Sequence, residues 1–215
     1  MAVAGVLWAL GWHKAAALVA ALSVFALWFF RNPERHAPSG ALSVFALWFF
    51  RNPERYAPQG DRMVIAPADG KVIFVGEVDD TRHLKSRAVK VSIFMNVFNV
   101  HVNRAPETGK IESIRYNPGK FVSANLDKAS LDNEQNGLVM VTDTGHRLAF
   151  VQIAGLVARR IVCWVKPGDH IKRGERFGMI MFGSRVDVYL PVGTEMKIRP
   201  GDKTAAGETV LGVLP

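Results

Sequence analysis

The chain has 215 residues, 49% of them hydrophobic, a single cysteine and a formal charge of +8. That length holds one ordinary domain with an appendage, and the lone Cys163 excludes an internal disulfide and a cysteine-cluster metal site. The positive excess calls for an acidic partner. Nucleic acid is disfavoured, because no dense Lys/Arg stripe interleaves with aromatics, whereas arginines beside N-terminal apolar runs suit an anionic membrane surface.

Residues 1–30 are almost wholly apolar, broken only at His13-Lys14. Ala15–Phe30 falls slightly short of the roughly 20 residues of a membrane span. It closes on Trp28-Phe29-Phe30-Arg31, aromatics and a cation of the kind found at a bilayer interface. A cleaved signal peptide and a buried soluble helix are the competing readings. No small-x-small site with a polar mature start is evident, and a helix apolar on all sides has few homes besides the membrane. Residues 21–40, ALSVFALWFFRNPERHAPSG, recur at 41–60 as ALSVFALWFFRNPERYAPQG, differing only at His36/Tyr56 and Ser39/Gln59. Two copies do not build a solenoid. The second apolar run, Ala41–Phe50, is too short to span a bilayer but suits an interfacial segment. Copy two is expected to take the place beside the following domain, because it is contiguous with it.

From Asp61 the texture changes. Strands are expected at Met63–Ile65, Lys71–Val75, Ala88–Met95, Leu138–Val141, Arg147–Ile153, Arg160–Val165, Phe177–Phe182 and Val186–Leu190. Asp69-Gly70, Pro118-Gly119, Thr144-Gly145, Pro167-Gly168 and Pro200-Gly201 punctuate them. This pattern predicts an all-β sandwich or barrel over residues 61–215, with room for a helix only near Leu126–Gln135. Residues 1–60 form the membrane-associated segment. Cys163, inside the apolar run Ile161–Val165, reads as a small buried hydrophobe.

Four stretches carry candidate chemistry: APADGKV at Ala66–Val72, Phe94–Pro106 with FNVHVNRAP and His101, Ile153–Ile161 within QIAGLVARRIV with Arg159-Arg160, and FGSR at Phe182–Arg185. A Gly-Ser pair after an apolar strand is usually a turn. Its chemical reading is also coherent: glycine tolerates strained backbone, and the Ser184 hydroxyl can attack the Gly183 carbonyl. Serine needs a base for this, and the candidates are His101 and Asp69. A lone strand histidine is more often structural, and an Ala-Asp-Gly aspartate more often belongs to a turn. Arg159 and Arg160 fit a solvated strand end, or a fork for a phosphate or carboxylate. The six histidines show no spacing of a catalytic zinc site, so no metal is expected.

Together with FFRNPER, GERFGMIMFGSRVDVYLP and a terminal AGETVL, these stretches resemble the short bacterial and archaeal branch of the phosphatidylserine decarboxylase family, in order across residues 45–212. The resemblance implies a proenzyme that cuts itself between Gly183 and Ser184 into chains 1–183 and 184–215. Its cofactor would be a pyruvoyl group derived from Ser184. That group would condense with the amine of phosphatidylserine as a Schiff base and release CO2, giving phosphatidylethanolamine. His101 coincides with the family's histidine motif, as base and as proton donor. Longer relatives carry a second histidine three residues on, where this chain has Arg104. Asp69 is implied to orient the histidine, and Arg159 and Arg160 to contact substrate. The implied partners are a phospholipid, the cytoplasmic face of the cell membrane and no nucleic acid, with a homo-oligomer left open. Another serine lipid such as archaetidylserine, or a non-catalytic membrane scaffold, are the alternatives. Ala66–Val72 and Val165–Glu175 also resemble the half-motifs of biotinyl and lipoyl carriers, which implies a barrel-sandwich-hybrid-like β domain after an apolar helical N-terminal segment.

Overall fold

The structure, a computed structural model, describes residues 40–119, 133–155, 160–181 and 184–215, with side chains from Phe45 onward in the opening helix. The chain divides into two units, Met1–Ala46 and Leu47–Pro215. In the first, the described residues are helical. Helix α1, Gly40–Phe49, runs into the second unit, so the end of the second repeat copy belongs to the β domain. No helix among the described residues is long and apolar enough to cross a membrane.

The rest is mainly β. In chain order the strands are β1 Met63–Ile65, β2 Gly70–Asp80, β3 Ser86–Met95, β4 Val102–Arg104, β5 Gly109–Asn117, β6 Gln135–Thr142, β7 Arg147–Ala154, β8 Ile161–Cys163, β9 His170–Ile171, β10 Arg176–Ile180, β11 Ser184–Pro191, β12 Glu195–Met196, β13 Lys203–Thr204 and β14 Val210–Val213. Eight make one antiparallel sheet in the order β13-β2-β3-β11-β7-β6-β5-β9. Bulges at Val72/Phe74 in β2 and Ile111/Ser113 in β5 add local twist, which curls the sheet. Two small sheets, β1-β14-β12 and β4-β10-β8, complete the domain.

Every strand expected from the sequence has a counterpart, β1 with the expected bounds and the others with shifted ends. The expected helix near Leu126–Gln135 falls mostly on residues 126–132, outside the described residues, while Gln135 opens β6. The unforeseen strands are β4, β5, β9, β12, β13 and β14. Strand β5 lacks an apolar run because it buries little beyond Gly109 and Ile111. Three of the turn glycines, Gly145, Gly168 and Gly201, sit at φ of 83°, 95° and 102°, where a side chain is strained.

The middle of the sheet is buried on both faces, and β11 shows it. Val186, Val188 and Leu190 enter the main core with Val91, Ile93, Leu138, Met140, Phe150 and Phe177. Alternation along the strand sends Arg185, Asp187 and Tyr189 to the other face. There, Arg185 pairs with Asp187 at 2.8 Å and Lys90 with Asp187 at 3.1 Å. Buried charges of this kind persist because they are paired.

Candidate active site

Ser184 opens β11 rather than occupying a turn. It pairs with Met95 on β3 and Ala154 on β7, in the middle of the sheet, and is fully buried. Its hydroxyl donates to Met95 Sδ at 3.3 Å and to no oxygen among the described residues. A thioether is a weak acceptor, so the hydroxyl is held without being committed to a base. Gly183 and Arg159 lie outside the described residues.

Two other segments run into this end of the sheet. The Ile180 amide donates to the His101 carbonyl at 3.3 Å, and the Met181 amide to the Arg160 carbonyl at 3.2 Å. His101 and Arg160 therefore flank the strand that leads towards Ser184. The side chain of Arg160 is exposed.

His101 is fully buried, and neither ring nitrogen has a hydrogen-bond partner among the described residues. Phe49 stacks on it, with ring centroids 4.2 Å apart and planes inclined by 30°. Burial pushes its pKa down to about 4; the Arg51 charge adds to this, while the Asn99 backbone and Asp69 oppose it. At neutral pH the ring is thus an uncharged proton acceptor.

Asp69 is near enough to act on His101 through its charge, but its oxygens are engaged elsewhere. Oδ1 accepts from the Ala206 amide at 2.7 Å, and Oδ2 from Arg55 at 3.1 Å. Arg55 also reaches Glu208 at 3.1 Å. Asp69, which the resemblance implies orients the histidine, makes no hydrogen bond to His101.

Arg55 belongs to a strap, Arg51-Asn52-Pro53-Glu54-Arg55, which the sequence marked as repeated text and as part of the FFRNPER stretch. Each of these residues contacts the β domain. Arg51 donates to the Phe98 carbonyl at 2.7 Å and lies over the Trp48 ring, 4.2 Å from its centroid. Asn52 and Glu54 hold Arg176 at 2.9 Å and 2.7 Å. The Pro53 carbonyl accepts from Arg104 at 2.8 Å, and Arg104 also bonds the Gly174 carbonyl at 2.9 Å. Arg104 thus anchors the strap. Leu47, Trp48, Phe50 and Phe98 remain partly or largely exposed beside it.

A buried amide chain, also unanticipated, completes the site. Asn103 Nδ2 lies 3.9 Å from the same Met95 sulfur that Ser184 uses. Its Oδ1 accepts from Gln152 Nε2 at 2.9 Å, and Gln152 Oε1 from Asn136 Nδ2 at 3.2 Å. Gln152 Nε2 also faces the Val162 carbonyl at 3.4 Å, which fixes which end of each amide is the donor. Gly178 makes room for it, since a Cβ there would stand 2.8 Å from Gln152 Nε2 and 2.3 Å from the Val162 oxygen. The available signal was a glutamine inside the apolar run Leu148–Ala154, and an asparagine two residues beyond His101.

The phosphatidylserine decarboxylase family profile matches residues 42–212. The phosphatidylserine decarboxylase proenzyme of Syntrophus aciditrophicus (strain SB) is 55% identical over 190 residues, covering 88% of this chain and 80% of that one. That of Geotalea uraniireducens (strain Rf4) is 51% identical over 219 residues, covering 100% of this chain and 93% of that one. That of Geobacter sp. (strain M21) is 50% identical over 206 residues, covering 96% and 84%. A match spanning the whole β domain, at about half identity to relatives of similar length, means that the chain belongs to the phosphatidylserine decarboxylase family.

Proposed function

We propose that this chain is a self-processing decarboxylase that converts phosphatidylserine to phosphatidylethanolamine with a pyruvoyl group made from its own Ser184. The observation that carries this reading is the buried Ser184, its hydroxyl resting on a thioether at the sheet end where the buried His101 ring has no hydrogen-bond partner among the described residues. A surface turn serine would have water as its neighbour and no such surroundings.

In processing, His101 takes the hydroxyl proton while Ser184 Oγ bonds the Gly183 carbonyl carbon. The C–N bond then breaks, the Ser184 nitrogen is protonated and an ester remains. Removal of the Ser184 α-proton expels the Gly183 carboxylate and leaves dehydroalanine. Water converts this to a ketone with loss of ammonia. An uncharged imidazole suits the first step, since only that form accepts a proton. Asp69 favours the imidazolium as it forms, acting by charge at a distance.

The surroundings fit a ketone at position 184: the space is bounded by Met95, Asn103 and Ala154, and carries no competing carboxylate among its named contacts. Such a group supplies the electron sink for loss of CO2 from an amine-bearing substrate. His101 then delivers a proton to the substrate carbon. That role needs the imidazolium, which the negative charges of an arriving serine phospholipid favour. Arg159 and Arg160 are proposed as contacts to those charges.

The β domain is read as barrel-sandwich-hybrid-like, and residues 1–60 as the element that keeps the enzyme on the cytoplasmic face of the cell membrane. Exposed Leu47, Trp48, Phe50 and Phe98 beside Arg51 support a lipid-facing rim next to the site, as aromatics and arginine favour a bilayer interface. Intact mass tests the core of the proposal. Chains 1–183 and 184–215 are expected, the smaller one blocked to Edman degradation, while Ser184→Ala stays single and inactive. A Ser184→Ala protein that still splits refutes the assignment.

A further inference from the structure

The cavity in question is on the opposite face of the large sheet from Ser184. Paired residues of neighbouring strands share a face. Arg115 pairs with Gly137, Gly137 with Val151 and Val151 with Asp187, all on the side away from the main core. There a cavity of about 190 Å³ is lined by Arg82, His83, Lys85, Ser113, Arg115 and Arg147, with an apolar floor. We propose that this cavity binds a phosphate group, carried by soluble phosphate or by a phospholipid headgroup.

Charge is the first argument. Four permanent cations converge and no carboxylate among the described residues lines the cavity. Arg147 has a partner outside it, Glu112 at 2.9 Å, whereas Lys85 and Arg115 have no carboxylate partner among the described residues. A second cavity, about 170 Å³, is lined by Arg82, His83, Arg115, Asn117 and Gln135. The four cations outnumber Asp80 and Asp187, the carboxylates whose charge reaches His83, so an anion in the cavity relieves their mutual repulsion. Guanidinium forks match the oxygens of phosphate. The small volume suits a headgroup-sized anion rather than a larger ligand.

Preorganisation is the second argument. Asp80, itself buried, accepts the amides of Arg82 and His83, each at 3.1 Å, and so fixes the turn that carries the cations. Gly137 lets the His83 ring settle on the sheet, because a Cβ there would stand 2.4 Å from its Cε1. Arg115 donates to the Arg82 carbonyl at 3.4 Å, linking sheet to turn. Lys85 sits at φ 56°, a left-handed backbone costly for a non-glycine residue, and lines the cavity.

The test uses the full-length protein in detergent, titrated calorimetrically with inorganic phosphate at fixed ionic strength. It is compared with Arg82→Gln/Arg115→Gln and, separately, Ser113→Glu. Single-site binding by the native protein is expected, at least tenfold weaker in each variant, with the thermal midpoint of Ser113→Glu unchanged. Ser113→Glu replaces an exposed strand residue and places a carboxylate in the cavity, so it remains decisive if the double variant fails to fold. Co-sedimentation with phosphatidylcholine vesicles, with and without phosphatidylglycerol, separates the sources. Weaker binding of the variants to the anionic vesicles assigns the site to headgroups; equal vesicle binding with lost phosphate binding assigns it to soluble phosphate. Absence of saturable phosphate binding by the native protein, or equal affinity in all three proteins, overturns the proposal.

Discussion

Phe49 stacks on His101 with ring centroids 4.2 Å apart, sealing the imidazole from water. The seal sets the pH range over which His101 stays uncharged. With a pKa near 4, the base is neutral from about pH 5 upward, so self-cleavage of the precursor should be flat over that range. Phe49→Ala admits water, and the pKa should return towards about 6.5. The rate should then drop about tenfold per pH unit below that value. Cell-free synthesis followed by gel analysis at several pH values reads this out, and a flat Phe49→Ala profile contradicts it.

The same burial makes a stability prediction. The folded pKa of His101 lies below its unfolded value, so the unfolded chain takes up the proton first as pH falls. No cost applies above about pH 6.5; the loss accumulates between 6.5 and 4 and then levels off. At about 1.4 kcal/mol per pKa unit the full effect is on the order of 3 kcal/mol. In an uncleavable Ser184→Ala background, urea midpoints at pH 7 and pH 4.5 should separate more for His101 than for His101→Gln. Equal separations would show that His101 is charged in the fold.

Gln152→Leu strands two buried amides, Asn103 Oδ1 and Asn136 Nδ2. Leaving such groups unpaired costs about 1–3 kcal/mol. With Asn103 released, Met95 and the Ser184 hydroxyl lose their fixed setting, so self-cleavage should slow tenfold or more while its pH profile keeps its shape. Urea denaturation and cleavage time courses measure the two effects separately.

Arg55→Gln removes the ion pairs to Asp69 and Glu208, both at 3.1 Å. Hydrogen bonds to charged groups contribute about 1.5–3 kcal/mol when largely buried. The Asp69 pair is largely buried; the Glu208 side is half exposed and adds little. A loss of about 1–2 kcal/mol and slower processing are expected, with Asp69→Asn slowing processing too. Normal cleavage in both variants would remove Asp69 from the mechanism.

Truncations should part at the strap. A chain beginning at Leu47 keeps Phe49, Arg51 and Arg55 and should self-cleave, while leaving the membrane fraction and acting poorly on lipid in vesicles. A chain beginning at Asp61 loses the cover of His101 and the partner of Asp69, and should process slowly. Fractionation with gel analysis distinguishes them; equal processing by the two would deny the strap any role.

What the sequence determined by itself was the β texture after Asp61 and the family to which the chain belongs. Alternating apolar runs between Gly and Pro turns are local signals, and His101, Asp69 and Ser184 stood within motifs long enough to be matched. The tertiary structure decided what surrounds them. That Ser184 begins a central strand, that Asp69 bonds Arg55 rather than His101, and that Phe49 covers the imidazole all depend on segments brought together from distant parts of the chain. The same is true of the amide chain from Asn136 to Asn103, whose members lie on three strands. Strand alternation gives each residue a face, but only the register of neighbouring strands and the folding of β10 over β7 place those faces against one another. Hydrogen bonding and burial, and with them the protonation state of His101, are properties of that assembly.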